Sequence, residues 1–549
     1  MAQVAPAVGR GRPLSPPRAL IVQPFFAADP TKARLQRAES LALGYLTAAL
    51  RAAGIAADPL DAHLLGLSHD ECLAHVERHQ YSVVGISCSA QRAYPEAAAL
   101  ARAVKAVRPG LHVTIGGHFV SHVHERVART EPAFDSVVRG EGEYTFGALI
   151  RRLHGGESLH GLAGVTFRRN GEVVVNPPAP RIIDLDRLPF PDRSSMPHVL
   201  HEALAGVRYV ALLGTRGCIY QCTFCSVDRP RATRSPGNIV AEMREIHGSW
   251  GVRKFRFNDD LLVGAAPDMQ AWAEELAERI AAESPGLEFQ AMTRSDAVNP
   301  KLFRKLRTAG FRTIFLGVES ASDAVLQRFK KGTRADVNES ALRVLREVGI
   351  VPELGFIMLE PRMSWADLGQ NLAFLRRVGC FTRHNLTNRL NVYHGAPLYN
   401  RALADGEIVP SEDLTERHPY EFTDPKVRRY SDAVERVKQL GFDLKRDVSD
   451  VIVRLRETCA ELYREGGAAA HDSPRSSELE RHGRRLERLE ADTWLLVFED
   501  LYRRIDHDQD EDELVGAMEV SARERLGPLA AEVEAVDRRT DECRAMLSV

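Results

Sequence analysis

Short apolar runs alternate with longer amphipathic stretches over the first third of the chain. Stretches such as SLALGYLTAALRAAG repeat apolar residues at intervals of three and four, as amphipathic helices do. The short runs are rich in β-branched residues and predict buried strands: RALIVQPFF, GIAADPL, YSVVGISCS, LHVTIGG and FDSVVRG. This alternation predicts a Rossmann-like α/β domain over residues 18–165, preceded by a disordered tail over residues 1–17.

A second alternating pattern follows a proline-rich segment. Residues 166–200 contain NPPAPRI and LPFPDRS, which predict an extended linker. Residues 201–405 then alternate strand-like runs with helical stretches, which predicts a partial (β/α)6 barrel. Its six predicted strands are YVALLGT, KFRFND, LEFQAM, TIFLGVES, ELGFIML and LTNRLNVY.

Beyond residue 405 the strand-like runs disappear and charged residues become frequent. The spacing of Leu479, Leu486, Leu489 and Leu496 by seven, three and seven predicts one face of a long helix. Residues 406–549 are therefore predicted to form a mostly helical domain. Its acidic run HDQDEDEL has no fixed ligand spacing, so we interpret it as a solvated face or loop rather than a metal site.

The overall composition narrows the partners of the chain. With 73 basic and 75 acidic residues the formal net charge is −2, which does not favour nucleic acid or an anionic membrane and leaves a small-molecule substrate as the expectation. The first residues lack the apolar core of a secretory signal, and no later run is long enough to span a bilayer. We therefore expect a cytoplasmic protein.

Four glycines follow two of the predicted strands of the first domain. Gly116 and Gly117 come after LHVTI, and Gly140 and Gly142 come after FDSVV. In doubly wound sheets, ligands bind at the carboxyl ends of the strands, where glycine allows the backbone to approach a ligand closely. These four residues are therefore the predicted ligand-binding edge of the first domain.

Three of the eight cysteines lie together in GTRGCIYQCTFCSV, directly after the first predicted barrel strand. Cys218, Cys222 and Cys225 have the spacing C-x3-C-x2-C, and three thiolates on one loop can bind three irons of a four-iron four-sulfur cluster. The fourth iron then remains open to an outside ligand. A structural zinc site is the alternative, although no fourth Cys or His follows at the spacing of such sites. A redox disulfide is a further alternative.

The cysteine loop resembles that of the radical S-adenosylmethionine superfamily, including the aromatic Phe224 before the last cysteine. This family carries an acidic pair after its second barrel strand and a G-x-E-S element at its fourth. The matching residues here are Asp259, Asp260, Gly317, Glu319 and Ser320. The resemblance implies that they lie along the S-adenosylmethionine cleft, with a loop or helix cap as the alternative for the two aspartates. Leu359 stands where the family often has glycine.

The first domain resembles the cobalamin-binding domain that precedes the barrel in one large subclass of this superfamily. The matching segments, in order, are VVGISCSA, VTIGGHFVS, VVRGEGEYTF, GLAGVTFRRNGEVVVNPP and DLDRLPFPDRS. The resemblance covers roughly residues 18–400 and implies cobalamin, as methylcobalamin, at the glycine-rich edge. A generic Rossmann domain or a nucleotide binder is the alternative.

Several histidines and tyrosines have no assigned role. Asp61, His63 and Gly66 spell D-x-H-x-x-G, a cobalt-ligating signature, but they follow the second strand instead of the first, so we interpret His63 as a surface or packing residue. His118 either contacts the cofactor or faces solvent. Tyr393 and Tyr399 are interpreted as packing residues near the end of the barrel.

The two resemblances together imply a cobalamin-dependent radical S-adenosylmethionine methyltransferase. A 5′-deoxyadenosyl radical would abstract hydrogen, and methylcobalamin would methylate an sp3 carbon or a phosphinate phosphorus of a biosynthetic intermediate. We expect an external electron donor of the flavodoxin or ferredoxin type. The alternatives are cyclisation, ring contraction or oxidation without methyl transfer, and a non-catalytic cobalamin or iron-sulfur sensor.

Overall fold

The computed structural model describes most of the chain, namely residues 16–26, 39–204, 208–228, 230–408, 414, 420–441, individual positions between 448 and 461, 474–507 and 511–545. The predicted tail lies outside the described residues up to position 15. The described residues form two compact units. The first contains the residues up to Phe26, Ser40–Arg181 and Leu188–Ser194, and the second contains Glu39, Ile182–Arg187 and the residues from Ser195 onward.

A mixed seven-stranded sheet forms the centre of the first unit, in the order β2-β1-β3-β4-β5-β6-β7. The strands are β1 Arg18–Gln23, β2 Ala56–Asp61, β3 Val83–Ser87, β4 His112–Gly116, β5 Ser136–Val138, β6 Val165–Arg169 and β7 Glu172–Val175. Strands β1 to β5 pair in parallel, whereas β6 and β7 join antiparallel. The five predicted strands and the doubly wound arrangement are confirmed.

Helices cover both faces of this sheet. They are α1 Leu41–Ala52, α2 Ala62–Leu65, α3 His69–Arg78, α4 Tyr94–Val107, α5 His118–His122, α6 His124–Thr130 and α7 Gly142–His154. Helix α1 packs with α7, and α3 packs with α4. Leu50 of α1 and Leu149 of α7 are fully buried with Ile21 of β1, because the apolar stripe of each helix faces the sheet.

The predicted linker over residues 166–200 is wrong at its start. The hairpin β6–β7 occupies residues 165–175, and Phe167 of β6 is buried in the same core as Ile21. Asn170 and Gly171 form the turn with φ values of 53° and 84°. An Asn-Gly pair between alternating residues is a strong hairpin signal, which the proline content of the following residues obscured.

A five-stranded parallel sheet with the order β14-β13-β12-β11-β8 forms the centre of the second unit. Its strands are β8 Val210–Leu212, β11 Lys254–Phe257, β12 Glu288–Arg294, β13 Phe311–Glu319 and β14 Val351–Phe356, and a separate antiparallel pair consists of β9 Thr215–Arg216 and β10 Ala232–Thr233. The predicted sixth strand is reduced to one parallel bridge between Leu359 and Arg389. This is the strand order of a partial barrel.

One helix precedes the first of these strands, and the later helices alternate with the strands as predicted. They are α8 Leu200–Leu204, α9 Pro236–Trp250, α10 Pro267–Glu283, α11 Pro300–Ala309, α12 Asp323–Arg328, α13 Ala335–Glu347, α14 Trp365–Val378, α15 Arg383–Thr387 and α16 Pro397–Ala404. Proline stands at the first turn of several of them, where its missing N–H costs no hydrogen bond.

Further along the second unit, the structure describes α17 Pro425–Gly441, α18 Pro474–Asp506 and α19 Glu511–Ala545. The predicted long helix is confirmed in α18, but its predicted apolar face is wrong in part, because Leu489 and Leu496 are 37% and 40% exposed. The buried face instead includes Leu486, Trp494, Val497 and Leu501. Of the acidic run, residues 508–510 lie outside the described residues. Among the described helices, none is both long and apolar enough to cross a bilayer.

Candidate active site

The three clustered cysteines lie on one loop between β9 and β10. Cys222 is buried, whereas Cys218 and Cys225 are half-buried. The N–H of Tyr220 donates to Cys218 Sγ at 3.4 Å, and the N–H of Cys225 donates to the Cys222 carbonyl at 3.2 Å. Burial raises the pKa of the Cys218 and Cys225 thiols, and the charge of neighbouring cysteines adds to this rise. The loop thus brings the three thiols within electrostatic reach of one another.

The ligand set of this loop fits an iron-sulfur cluster better than a structural zinc ion. A structural zinc site is usually closed by four Cys or His ligands, whereas the loop between β9 and β10 contains three cysteines and no histidine. A cubane cluster can bind three thiolates through three different irons and leave its fourth iron open.

Asp259 and Asp260, which follow β11, hold the start of the cysteine loop. Both carboxylate oxygens of Asp259 accept the Gly214 N–H at 3.1 Å, and Asp260 Oδ2 accepts the Gly217 N–H at 3.0 Å. Burial raises the pKa of Asp259 to about 7, against the effect of hydrogen bonds from Gly214 and Thr215. The structure therefore gives Asp259 the loop-supporting role. Only Asp260 is exposed, so a contact with S-adenosylmethionine stays a prediction for it.

A buried ion pair lies at the end of β13, in the predicted G-x-E-S element. Lys331 Nζ donates to Glu319 Oε1 at 2.8 Å, and the side chains are 5% and 14% exposed. The pairing register between β13 and β14 shifts at Gly317 and Glu319, and Glu319 adopts a φ of 63°. A Cβ on Gly317 would lie 2.8 Å from Glu319 Oε1 and 2.9 Å from Lys331 Nζ. Glycine at this position therefore makes room for the pair.

Ser320 is not brought together with Gly317 and Glu319. It is fully buried, its Oγ donates to Asn371 Oδ1 at 3.0 Å, and the same Oγ accepts the Ser322 N–H at 3.1 Å. These bonds tie the turn after β13 to α14. These hydrogen bonds give Ser320 a structural role. They do not support the predicted contact of Ser320 with S-adenosylmethionine.

Arg294, at the end of β12, is a site residue that the sequence analysis missed. It is 5% exposed, and its Nη1 lies 3.6 Å from Cys222 Sγ. Its guanidinium carbon lies 3.7 Å from the centroid of the Tyr220 ring, and Nη2 donates to the Lys331 carbonyl. Arg294 therefore connects the cysteine loop with the Glu319–Lys331 pair. An arginine at the end of a predicted strand, with Asp296 two residues later, was the available signal.

The glycine-rich edge of the first unit is made of backbone and open space. Gly117 has a φ of 123°, and a Cβ there would lie 2.6 Å from the Cys88 carbonyl oxygen, so only glycine fits. Gly140 has a φ of 72°, and no atom lies within 4 Å of where its Cβ would be. A cofactor edge can therefore approach the backbone at Gly140. Gly116 ends β4, and Gly142 begins α7 with Leu46 3.0 Å from its Cβ position.

The remaining candidates differ in how closely they are packed. The His63 ring stacks on Phe26 with centroids 4.1 Å apart, and Asp61 caps α2 by accepting the Leu64 N–H at 2.9 Å. These contacts support the packing interpretation of the D-x-H-x-x-G element. The Tyr399 ring lies 4.5 Å from that of His394, whereas Tyr393 is 48% exposed. The role of His118, at the start of α5, stays open.

Comparison with known proteins gives two family matches and distant relatives. Residues 33–150 match the B12 binding domain, and residues 212–375 match the Radical SAM superfamily. An uncharacterized methyltransferase of Pyrococcus horikoshii is 26% identical over 339 residues, which cover 61% of this chain and 72% of the relative. The anaerobic magnesium-protoporphyrin IX monomethyl ester cyclase of a Synechocystis strain is 28% identical over 343 residues, covering 61% and 67%.

A solved structure shares the fold of almost the whole chain. It is that of the cobalamin-dependent S-adenosylmethionine radical enzyme OxsB with aqua-cobalamin and S-adenosylmethionine bound, and it matches with a TM-score of 0.70. The match covers 94% of this chain and 84% of that chain at 19% identity. At this identity the likeness concerns the fold.

Proposed function

We propose, from the premise that the chain is a radical S-adenosylmethionine enzyme with a B12-binding domain, that it is a methyltransferase. Its substrate would be a small biosynthetic intermediate with an unactivated sp3 carbon or a phosphinate phosphorus. The observation that carries the proposal is the loop between β9 and β10, on which three thiols lie together without a fourth Cys or His to close a zinc site. The similarity to an uncharacterized methyltransferase of Pyrococcus horikoshii supports the reaction type.

Each cofactor has a set of residues that would hold it. Cys218, Cys222 and Cys225 would bind the four-iron four-sulfur cluster; Asp260, Gly317 and Glu319 would face S-adenosylmethionine; and Gly116, Gly117, Gly140 and Gly142 would form the cobalamin edge. When bound, the cluster and S-adenosylmethionine supply radical hydrogen abstraction, and methylcobalamin supplies the methyl group. An external donor of the flavodoxin or ferredoxin type would supply the electron.

The residues of the chain position this chemistry. Asp259 and Asp260 hold Gly214 and Gly217 by their backbone N–H groups, which fixes the start of the cysteine loop. Between the second and third cysteines, Thr223 donates its N–H to the Phe329 carbonyl at 2.9 Å. A loop held before its first cysteine and again before its last keeps its thiols at fixed positions, as a preorganised metal site requires.

A second candidate is a reaction with the same cofactors but without methyl transfer, such as ring closure, ring contraction or oxidation. This candidate is supported by the similarity to a cyclase over 61% of this chain. Both reactions would use the same cysteine loop and the same glycine edge. The two reactions differ only in whether the product carries a new methyl group.

The test is anaerobic reconstitution with iron, sulfide and methylcobalamin, followed by mass spectrometry with candidate substrates. Formation of both 5′-deoxyadenosine and S-adenosylhomocysteine, with a product heavier by one methylene unit, supports the methyltransferase. Deoxyadenosine without S-adenosylhomocysteine favours the second candidate. A reduced, cluster-loaded protein that forms neither product with S-adenosylmethionine contradicts both. The Cys222→Ala variant gives the background.

A further inference from the structure

Arg294 is a buried cation that the proposed chemistry does not use. Its side chain is 6% exposed, and it points one N–H at Cys222 Sγ across 3.6 Å. This is the distance of a hydrogen bond to sulfur. A guanidinium cannot lose its proton in proteins, so it acts here as a permanent donor.

Three contacts fix the position of this guanidinium. Asp296 accepts from Nε and Nη2 at 2.9 Å each, in a two-pronged pair of fixed geometry. The Lys331 carbonyl accepts a further N–H. The flat face stacks on Tyr220, whose hydroxyl accepts the Ala265 N–H at 3.2 Å. Arg294 therefore holds Tyr220, which lies between the first two cysteines of the loop, while leaving Nη1 directed at Cys222.

Hydrogen bonds and net charge at the sulfurs of an iron-sulfur cluster set its reduction potential. A positive donor stabilises the state with more electron density on sulfur, which is the reduced state. Asp296 offsets the charge of Arg294 at a distance because its carboxylate lies against the same guanidinium. The effect on a cluster therefore acts mainly through the short contact with Cys222, and Asp296 opposes it.

We propose that Arg294 is a positioning residue that donates to Cys222 and raises the reduction potential of the cluster. This inference rests on the proposed binding of a cluster by the three cysteines. The affected step adds one electron to the cluster from the external donor, with no bond made or broken. Arg294 makes this electron transfer easier, and Asp296 limits the gain.

The test is a redox titration followed by electron paramagnetic resonance on the reconstituted full chain. Arg294→Met should lower the midpoint potential, so that at a fixed potential the ratio of reduced to oxidised cluster falls about tenfold, or about 59 mV for one electron. Asp296→Asn should shift the potential in the opposite direction. Arg312→Met is the matched control, because it removes a half-buried guanidinium at the start of β13 that donates to the Arg307 carbonyl.

The outcomes separate this inference from the proposed function. A wild-type chain that takes up no iron overturns the cluster itself. A wild-type potential in Arg294→Met, or an equal shift in Arg312→Met, overturns the role of Arg294. If Arg294→Met folds but binds no iron, Asp296→Asn decides, because it keeps the cation beside Cys222 and removes the opposing charge. An unchanged potential in Asp296→Asn overturns the inference.

Discussion

The two candidate sites differ in the groups that they present. In the first unit, the edge of the sheet offers backbone and space, as at Gly117 with its φ of 123° and at Gly140 with no neighbour at its Cβ position. In the second unit, the ends of the strands carry buried charged groups, such as Asp259 and the pair of Glu319 and Lys331. The first site therefore consists mainly of glycine backbone, whereas the second contains buried charged side chains.

This difference matches the chemistry proposed for each region. A large cofactor with its own reactive atom needs room and a close backbone, which glycine provides. A redox centre needs fixed dipoles and charges in a dry environment, where they act strongly. The contrast predicts that substitutions in the first region change binding, and that substitutions in the second change stability and electron transfer.

The largest effect is expected when one of the predicted cluster ligands is removed. Cys222→Ala should abolish stable cluster binding and lower deoxyadenosine formation by at least about 100-fold, because a cubane needs all three thiolates. Iron content and product mass spectrometry measure both. Cys380→Ala removes a half-buried cysteine outside the loop and should keep full iron content. Full iron in Cys222→Ala would contradict the assignment.

A large effect on stability is expected at the ion pair. Lys331→Met leaves the Glu319 carboxylate buried without its cation, which should cost about 3 kcal/mol in the free energy of unfolding. Urea denaturation with hydrogen exchange at β13 measures the loss. Arg334→Met breaks an exposed pair with Asp336, whose side chains are 70% and 72% exposed, and should change little. If both variants lost the same free energy of unfolding, burial of the ion pair would not explain the loss.

A smaller effect isolates the open space of the first unit. Gly140→Ala and Gly171→Ala place a side chain at φ values of 72° and 84° with no atom within 4 Å, so each should cost about 1 kcal/mol of stability. Only Gly140 lies at the predicted cobalamin edge, so only Gly140→Ala should weaken cobalamin binding, by about tenfold. Equilibrium binding followed by absorbance compares them, and equal affinities would remove Gly140 from the site.

The stability of the two units should respond to pH in opposite directions. Burial lowers the pKa of His112 to about 4 and raises that of Asp259 to about 7. The contribution of His112 is present above the unfolded pKa of about 6.5 and is lost as the pH falls toward 4. The contribution of Asp259 is present below the unfolded pKa of about 3.9 and is lost as the pH rises through 7.

Hydrogen exchange from pH 4 to 8 measures the local stability of each sheet. His112→Gln should remove the loss of stability of β4 at acid pH, and Asp259→Asn should remove the loss near β11 at higher pH. The same slope in a variant and in the wild type would assign the pH response to other groups.

Periodicity was sufficient for the regular part of the fold. The parallel strands of both sheets were predicted from short runs rich in apolar and β-branched residues. The hairpin at Asn170 and Gly171 was missed because alternating polar residues were overlooked beside prolines. The exposed Leu489 and Leu496 could not be predicted, because the buried face of α18 depends on the helices that pack against it.

The three cysteines of the candidate site could be predicted, because their spacing along the chain places three thiols on one short loop. The roles of Asp259 and Ser320 could not be predicted, because a short motif does not tell whether an oxygen faces a ligand or a backbone N–H. Arg294 was missed for a related reason. Its contact with Cys222 joins residues 72 positions apart, and only the folded barrel brings them together.

The anchoring of the cysteine loop has a consequence for repair after exposure to air. The bonds from Gly214 and Gly217 to the two aspartates, and from Thr223 to Phe329, join protein groups to each other. None of these bonds involves an atom of a cluster. We therefore expect the loop to keep them when oxygen destroys a bound cluster, which would allow the cluster to be rebuilt on the existing chain.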